Sequence, residues 1–281
     1  MGAFCLDIIA GGDSFLDNTS TPGYISVRPG GVAYNIFSHI ADAKRLITAV
    51  GNDTFSEMIQ AFVGVGDSEE HREITVTRVD ALPPLYVALM ERGELRIAVS
   101  QMDAVEQGLS AESILLELGT IENTDIVILD ANLHPDTIGR VVQEIHRICK
   151  IVFEPISAAK ASRHAGNITD LFLVTPDIRE FEVLLGGSDV CDGDVIDYMK
   201  KRSIENLLAT RGREGAVLFC QGEKYDFAPE QRLSLTDSTG AGDMLTALVA
   251  QAVHDGDTVL GALRGCMRKV EAMLAERSST C

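Results

Sequence analysis

The 281-residue sequence lacks the features that mark several classes of protein. No apolar run approaches the roughly 18 residues that a membrane-spanning helix needs. Asp7 interrupts the apolar N-terminal stretch too early for a signal peptide. Six cysteines are present, but none lies in a CxxC pair, which argues against both a disulfide framework and a zinc site. These absences predict a cytoplasmic protein with reduced cysteines and no membrane partner.

Basic residues are scarce relative to acidic ones. Lys and Arg number 24 against 42 Asp and Glu, so the formal net charge is -18. A surface of this charge repels phosphate backbones and anionic lipids, which disfavours a nucleic-acid-binding role. The sequence also has no GxxxxGKS or GxxxxGKT loop and no GxGxxG that opens a helix after the first strand. By motif it is neither a P-loop enzyme nor a dinucleotide-binding protein, and we expect a small-molecule partner.

Apolar runs of strand length recur along the chain, with helix-period segments between them. The candidates are FCLDIIA, RLITAV, DIVILD, KIVFE, LFLVT, NLLAT and GAVLFC. Several are apolar throughout, which is typical of parallel strands covered on both faces. Between two of them, Pro135 to Cys149 carries an apolar stripe of Ile138, Val141, Val142, Ile145 and Ile148, which predicts a crossover helix. The pattern therefore predicts an α/β fold with a mainly parallel central sheet flanked by helices.

A different pattern runs from Glu73 to Ser100. Three short segments, EITVTRV, LYVALME and ELRIAVS, alternate partly between apolar and polar residues and are separated by short turns. This pattern predicts a small antiparallel β lid. No composition break is long enough to be a linker, so we expect one domain over residues 1–281, with lid segments at approximately 17–29 and 73–100.

Polar clusters follow several of the predicted buried strands. In open parallel sheets, ligands bind outside the carboxyl ends of the strands, where the loops converge. Each cluster taken alone is also explained as a turn or a helix cap. The clusters are Asp130-Ala-Asn132, Glu154-Pro155, Thr175-Pro-Asp177 and Thr210-Arg-Gly212.

The segment LTDSTGAGDMLTALV places small residues and an acid before a long apolar helix. Gly240 and Gly242 allow the backbone to approach a ligand, and the unpaired amides of the helix N-terminus attract an anion. Asp243 beside that anion is explained by two hypotheses. It acts as a general base on an attacking hydroxyl, or it caps the helix. The local residues leave both open.

Two motifs resemble signatures of the ribokinase-like (PfkB) carbohydrate and nucleoside kinases. DSTGAGD, Asp237 to Asp243, resembles the C-terminal signature, and RPGGVAYNIFSHIADAKRLITAVGNDTF, Arg28 to Phe55, resembles the N-terminal one. The resemblance covers most of the chain. Within the family, PGGVAYNI, RIAVSQMDA and EPISAAK are most similar to segments of pseudouridine kinases. The resemblance implies a ribokinase-like fold and ATP-dependent phosphorylation of the 5′-hydroxyl of a ribonucleoside, foremost pseudouridine.

The resemblance implies a role for individual residues. Asp243 is similar to the catalytic base, and Gly240, Ala241 and Gly242 match the anion hole. Asp17 matches the acid that holds sugar hydroxyls, although the spacing leaves Asp13 open. Gly31 and Asn35 match contacts to the ribose. Asn132 and Lys160 are further candidate substrate contacts, and surface positions are their alternative. This set of site residues is Asp243, Gly240, Ala241, Gly242, Asp17, Gly31, Asn35, Asn132 and Lys160.

The nucleotide side is assigned in the same way. Asp177 and Glu180 occupy the place of the family's NxxE motif, with Asp in place of Asn, and are expected to hold Mg²⁺ through water. The turn ATRGREG is similar to a phosphate-binding turn, which gives Thr210, Gly212, Arg213 and Gly215 to ATP. The resemblance also raises a monovalent cation as a cofactor and a homodimer formed through the lid.

Three departures from the family pattern weaken the expectation of efficient catalysis more than that of the fold. Leu248 stands where the family often has glycine in the catalytic helix, and Ser56 stands where VGxDxxG expects glycine. The sequence ends at Cys281, sooner after the catalytic helix than is usual, so an open or partial adenine pocket is expected. Two alternatives therefore remain: a kinase of another ribose-like substrate, such as ribose or adenosine, and a catalytically weak ligand-binding homologue.

Overall fold

The computed structural model describes residues 1–41, 44–66, 72–119, 121–188, 190–230 and 239–279. The strands in these ranges are β1 (Cys5–Gly12), β2 (Tyr24–Gly30), β3 (Lys44–Val50), β4 (Arg72–Arg78), β5 (Leu85–Glu91), β6 (Glu94–Gln101), β7 (Ile126–Asp130), β8 (Lys150–Glu154), β9 (Leu171–Val174), β10 (Ile204–Thr210), β11 (Ala216–Cys220) and β12 (Glu223–Phe227). The helices are α1 (Val32–His39), α2 (Thr54–Gly66), α3 (Asp103–Gly108), α4 (Ala111–Leu118), α5 (Pro135–Ile145), α6 (Ala158–His164), α7 (Ile178–Leu185), α8 (Asp192–Lys201), α9 (Ala241–His254) and α10 (Val259–Ser279).

The central sheet has six strands in the order β12-β11-β10-β9-β8-β7. Strands β7 to β10 are parallel, and β11 and β12 are antiparallel additions at one edge. Successive residues of one strand belong to different core clusters: Phe153 packs in a cluster with α5 and α6, whereas Val152 packs with α9 and α10. Both faces of the sheet are therefore covered by helices, which confirms the predicted fold class and explains why these strands are apolar throughout.

Helix α5 crosses between the parallel strands β7 and β8, as its pattern predicts. Pro135 lies in its first turn, and Ile138 and Ile145 are buried. Ile148 differs from the prediction, because its side chain is 46% exposed. The helix ends at Ile145, and the backbone amides of Ile148 and Cys149 both bond to the carbonyl of Ile145, so the chain turns and the helical period stops.

The lid is a four-stranded sheet in the order β2-β1-β5-β6. Three of its strands fall within or beside the predicted lid segments. The fourth, β1, contains FCLDIIA, and its runs of apolar residues had suggested a strand of the parallel sheet. It pairs instead with β2 and β5. Strand β4 was predicted to belong to the antiparallel lid, but it pairs in parallel with β3. Local patterns identified these strands but not their partners.

The residues that depart from the family pattern fit the fold. Leu248 is partly buried and packs against the core between the central sheet and helices α9 and α10. Ser56 is buried, and its hydroxyl donates to Oδ2 of Asp53 over 3.1 Å.

The described cysteines are free, and all but Cys191 are buried; Cys281 lies outside the described residues. Among the described residues, no helix is both long and apolar enough to span a membrane.

Truncation of Ile138 tests the packing of α5. Ile138→Ala should lower the free energy of unfolding by about 2–5 kcal/mol, because it removes a fully buried side chain and leaves a cavity. Urea denaturation measures the change. The matched control is Ile148→Ala, which should change stability by less than about 1 kcal/mol because its side chain is exposed. Equal losses in the two variants would contradict the position at which α5 ends.

Candidate active site

The N-termini of α1 and α9 meet, and they bring together the two sequence signatures. The side-chain amide of Asn35 on α1 donates to Oδ2 of Asp243 on α9 over 2.8 Å. Gly31 precedes α1 with φ 96°, and a Cβ at this position would lie 2.4 Å from the carbonyl oxygen of Ala3. No other residue fits that combination of backbone angle and close approach. Gly31 therefore sets the direction in which α1 presents Asn35.

Asp243 lies in the first turn of α9 and is half-buried. The N-cap position is Gly240, in the left-handed conformation, and it has no side-chain cap. Burial raises the pKa of Asp243 to about 6, the hydrogen bond from Asn35 lowers it, and the charges of Asp130 and Asp7 raise it further. A carboxylate with this pKa is ionised at neutral pH and still basic enough to accept a proton.

Gly240, Ala241 and Gly242 begin α9 beside Asp243, as the sequence predicts. The first amides of a helix have no partner within it, so they attract negative charge at this end. Asp237 and Ser238, which complete the signature, lie outside the described residues. The described part of the signature therefore places a carboxylate beside backbone amides that have no partner within the helix.

Asp130, at the end of β7, holds the N-terminus of α1 through hydrogen bonds. Its Oδ2 accepts from the backbone amides of Ala33, in the first turn of α1, over 3.2 Å and of Ala3 over 2.9 Å. The Asn132 backbone amide donates to its Oδ1 over 3.0 Å, and the Asn132 side chain donates to its Oδ2. Asp130 is fully buried. This carboxylate thus fixes α1 and the β7–α5 loop in one position.

Lys160 and Asn132, both predicted substrate contacts, lie together. The ammonium of Lys160 donates to Oδ1 of Asn132 and, over 3.3 Å, to the hydroxyl of Ser100 on lid strand β6. Burial lowers the pKa of Lys160, whereas the charge of Asp130 raises it. Lys160 is therefore not a solvated helix residue: it joins the body of the protein to the lid.

A polar row crosses one face of the lid sheet. The strand registers place Arg28, Asp7, Tyr86 and Ser100 side by side on β2, β1, β5 and β6. Because Ser100 contacts Lys160, this row faces the body. Asp7 is buried; burial raises its pKa, whereas the Cys5 thiol and Arg28 lower it. Sequence reasoning missed Asp7 as a site residue, although an acid inside an apolar strand was a visible signal.

The predicted alternatives Asp13 and Asp17 lie in the connection between β1 and β2. Both are exposed, and Asp17 is part of a turn. Their contact with a sugar stays a prediction, whereas Asp7 lies on the face of the lid that is directed toward Lys160 and influences the pKa of Asp243.

Glu154 at the end of β8 is a second acid that the site assignment missed. It is buried, and its Oε2 accepts from the hydroxyls of Thr175 over 2.5 Å and of Thr246 over 3.2 Å. Burial, and then the charge of Asp243, raise its pKa well above the usual value. Thr246 lies one turn after Asp243 on α9. The sequence did signal this position, because Glu154-Pro155 is one of the polar clusters that follow the predicted strands.

Asp177 and Glu180, the predicted Mg²⁺ residues, form a capping box at the start of α7. Each side chain accepts from the backbone amide of the other over 2.8 Å. Asp and Asn are both good N-caps, so Asp in place of the family's Asn keeps this structure. Burial raises the pKa of Glu180 to about 7, with further contributions from the charges of Asp177 and Asp243. Among the described side chains no cluster of three potential metal ligands occurs.

The predicted nucleotide residues lie after β10. Thr210 forms a bridge with Asp177, and its amide donates to Pro176, so the two predicted sites are adjacent. Gly212 and Arg213 are exposed in a 3-10 turn. Gly215 has a packing role, because a Cβ there would lie 2.0 Å from the carbonyl oxygen of Phe227. The structure brings Thr210, Gly212 and Arg213 to the carboxyl end of the sheet.

The structure is similar to solved structures of carbohydrate kinases. Ribokinase from Thermotoga maritima matches with a TM-score of 0.78 at 20% identity, over 96% of this chain and 89% of that one. A carbohydrate kinase from Agrobacterium tumefaciens matches with a TM-score of 0.74 at 23% identity, over 96% and 87%. At these identities the similarity shows the fold, which is ribokinase-like.

Curated relatives are longer than this chain. The bifunctional protein HldE of Aliivibrio fischeri strain MJ11 is 27% identical over 253 residues, which are 83% of this chain and 49% of the relative. HldE of Pseudomonas aeruginosa strain LESB58 is 24% identical over 250 residues, with 84% and 50% covered. The chain therefore spans about half the length of the curated relatives it matches.

A family model, described as pfkB family carbohydrate kinase, matches residues 1–265. The match includes both helix N-termini that form the site, the one that carries Gly31 and Asn35 and the one that carries Asp243. Fold, signatures and site geometry thus agree, and the chain belongs to the pfkB family of carbohydrate kinases.

Proposed function

We propose that this protein is an ATP-dependent kinase of the 5′-hydroxyl of a ribonucleoside, with pseudouridine as the first candidate. The observation that carries the proposal is the hydrogen bond from Asn35 to Asp243 at the N-terminus of α9. It supports a half-buried carboxylate, held in one orientation beside anion-binding amides, as the base of a phosphoryl transfer.

The proposed reaction begins with the acceptor hydroxyl beside Asp243. Asn35 holds one carboxylate oxygen, and the other takes the hydroxyl proton. As the proton leaves, the hydroxyl oxygen forms a bond to the γ-phosphorus of ATP, and the bond from that phosphorus to the ADP oxygen breaks. The amides of Gly240, Ala241 and Gly242 stabilise the charge on the transferring group. Asp243 ends the step protonated, and ADP carries away the released electron pair.

The substrate side is proposed to use the polar groups between the lid and the body. Asp7 accepts hydrogen bonds from sugar hydroxyls, because it is buried on the lid face directed toward the body, and Asp17 remains the alternative from the sequence. Asn132 and Lys160 present amide and ammonium groups, which suit the carbonyl and N–H groups of a pyrimidine base. This arrangement favours a nucleoside over a free sugar, and EPISAAK supports pseudouridine.

The nucleotide side is proposed to use Thr210, Gly212, Arg213 and Gly215 around the ATP phosphates. Asp177 and Glu180 fit water-mediated binding of Mg²⁺, because the capping box uses one oxygen of each and leaves the other. Burial, and after it the charges of Asp177 and Asp243, raise the pKa of Glu180 to about 7, and a bound cation would favour its ionised form. Mg²⁺ bound here supplies neutralisation of phosphate charge.

The lid also supports a homodimer. Opposite the polar row, its outer face carries neighbouring apolar residues on all four strands, and several of them are strongly exposed: Ile25 at 74%, Val99 at 63%, Ile97 at 57%, Val27 at 45% and Val87 at 38%. A continuous apolar face of this kind is typical of a protein interface. We propose that a second copy covers it.

Replacement of the base tests the proposed function. The wild-type protein with pseudouridine, ATP and Mg²⁺ should form the 5′-monophosphate, and Asp243→Asn should lower kcat about 10²–10⁴-fold with KM nearly unchanged, because only proton acceptance is lost. Steady-state kinetics with pseudouridine, uridine, adenosine, ribose and fructose 6-phosphate as substrates measures both the substrate preference and the change in kcat and KM.

The control for this variant is Asp255→Asn, which removes a carboxylate at the opposite end of α9 and should leave kcat unchanged. Turnover of ribose or a sugar phosphate without pseudouridine would refute the substrate assignment. An unchanged kcat in Asp243→Asn would refute the base. Nucleoside binding by calorimetry with no turnover of any substrate would identify a ligand-binding homologue.

The pH dependence of the reaction tests the hydrogen bond from Asn35. Asp243 must be ionised to act as base, so kcat/KM should rise with pH through about 6. The amide of Asn35 favours the ionised form, so Asn35→Ala should move this rise to higher pH. Profiles from pH 5 to 8 show the shift. The control is Asn206→Ala, which removes a hydrogen bond from a side-chain amide to the carbonyl of Phe172 and should leave the pH profile unchanged. An equal shift of the profile in this control would count against the role of Asn35.

Charge placed on the outer lid face tests the homodimer. Val99→Lys should convert the dimer to a monomer, because it inserts an ammonium into the apolar face. Light scattering coupled to size exclusion measures the mass. Leu116→Lys, at an 80% exposed position on α4, is the control and should remain dimeric. A wild-type protein that is monomeric at micromolar concentration would refute the interface.

A further inference from the structure

Helix α10 is longer than its neighbour α9 and extends past it at the candidate site. The two helices share one core against the central sheet, and the short connection 255–258 joins them, so they run in opposite directions. Helix α10 has 21 residues and α9 has 14. At a rise of about 1.5 Å per residue, α10 is about 10 Å longer. Its last turns therefore lie beyond the N-terminus of α9, where the amides of the anion hole begin.

Arg277, in the last turn of α10, contacts the loop before α9. Its Nη1 donates to the carbonyl oxygen of Thr239 over 3.0 Å, and Thr239 directly precedes the N-cap Gly240. Leu274, about one turn earlier, is buried in the core that α9 and α10 share, which fixes the helix from which Arg277 extends. Burial lowers the pKa of His39 in the last turn of α1, and the charge of Arg277 lowers it further. The positive charge of Arg277 therefore lies between the end of α1 and the start of α9.

This hydrogen bond fixes the first peptide of the anion hole. In a trans peptide, the C=O of one residue and the N–H of the next point in opposite directions. Because Arg277 holds the Thr239 carbonyl toward α10, the N–H of Gly240 points away from α10. Packing does not provide this orientation, since a Cβ added at Gly240 or Gly242 would meet no described atom within 4 Å. A polar contact from Arg277 therefore sets the orientation of this peptide.

The guanidinium also keeps donors and charge for a bound anion. Arginine has five N–H groups in one plane, and it binds phosphate through several of them at once. Within the described ranges, no carboxylate forms an ion pair with Arg277, whose side chain is exposed. A cation without an acidic partner, placed beside unpaired helix amides, favours negative charge at the same point.

The same contact bears on the monovalent cation that the family resemblance raises as a cofactor. Such an ion is bound by oxygen atoms, backbone carbonyls among them. The carbonyl of Thr239, directly before the anion hole, already accepts from Arg277. A second cation at this oxygen would be repelled by the guanidinium. The described part of the loop therefore does not fit a monovalent cation.

We propose that the guanidinium of Arg277 completes the anion hole in place of a monovalent cation: one N–H group holds the Thr239 carbonyl, and the positive charge stabilises the γ-phosphoryl group of ATP. This inference rests on the proposed kinase function. It gives a source of positive charge to a chain that has no P-loop lysine. Because the charge belongs to the protein, phosphoryl transfer needs no added K⁺.

Variants of Arg277 that separate charge from hydrogen bonding test this role. Arg277→Gln keeps an N–H donor but loses the charge, so it should lower kcat about 10²–10³-fold. Arg277→Lys keeps the charge and should recover most of that loss. The matched control is Lys269→Gln, which removes a charge from an exposed position of the same helix and should leave kcat unchanged. Steady-state kinetics with the acceptor that the wild-type protein phosphorylates measures the change, and all variants should keep the wild-type Tm.

Three further measurements locate the effect. The wild-type protein should have the same kcat in KCl, NaCl and choline chloride of equal concentration. Calorimetry in the presence of Mg²⁺ should show that Arg277→Gln weakens binding of β,γ-methylene-ATP about tenfold or more and leaves the affinity for ADP unchanged, because ADP has no γ-phosphate. The rise of kcat/KM with pH through about 6 should stay in place, because the pKa of Asp243 responds to burial, Asn35, Asp130 and Asp7 and not to Arg277.

The opposite outcomes overturn the inference. A wild-type kcat that falls when choline replaces K⁺ means that the site uses a monovalent cation. Equal losses of kcat in Arg277→Lys and Arg277→Gln, or a wild-type kcat in Arg277→Gln, mean that the charge is not used. Equal weakening of ADP and β,γ-methylene-ATP places Arg277 away from the γ-phosphate. A wild-type protein that binds no nucleotide refutes the proposed function itself, whereas the other outcomes leave that function in place.

Discussion

The 2.8 Å hydrogen bond between Asn35 and Asp243 is the contact on which the candidate site depends. It joins helices that lie at opposite ends of the chain, so its geometry holds only if both helix N-termini are fixed. Gly31 fixes one, since its backbone angle and its approach to Ala3 exclude a side chain. Asp130 supports the same helix by accepting from the amide of Ala33. These contacts are local in space but not in sequence, which is why the two signatures are needed together.

Buried acids dominate the electrostatics around that contact. Burial raises the pKa of Asp7, Glu154, Glu180 and Asp243, and the charges of neighbouring acids add to the effect for several of them. The pKa of Glu154 lies well above its usual value, and the hydroxyls of Thr175 and Thr246 donate to its Oε2. The pKa of Asp243, about 6, lies in the range in which a carboxylate can act as a base near neutral pH. Burial thus weakens several acids of this region, and the amide of Asn35 favours the ionised form of Asp243.

The sequence predicted those features that local chemistry determines. Continuous apolar strands predicted the covered parallel sheet, and the small residues before an apolar helix predicted the position of Asp243. Strand partners were not predictable, because β1 and β4 have apolar patterns that suit either sheet. The end of α5 was also missed, since Ile148 continues the stripe after the backbone has turned. Asp7 was overlooked because its neighbours on the lid face, Tyr86 and Ser100, are brought beside it only by the pairing of β1, β5 and β6.

Lys160 links two parts of the molecule through one ammonium group. It donates to Asn132 in the body and to Ser100 in the lid, and an ammonium has three N–H donors, so one remains for a bound molecule. Under the proposed function, a substrate that takes only the third donor leaves the hydrogen bond to Ser100 in place, whereas a substrate that displaces Ser100 removes this contact between body and lid. One nitrogen would then both bind the substrate and connect the two parts of the protein.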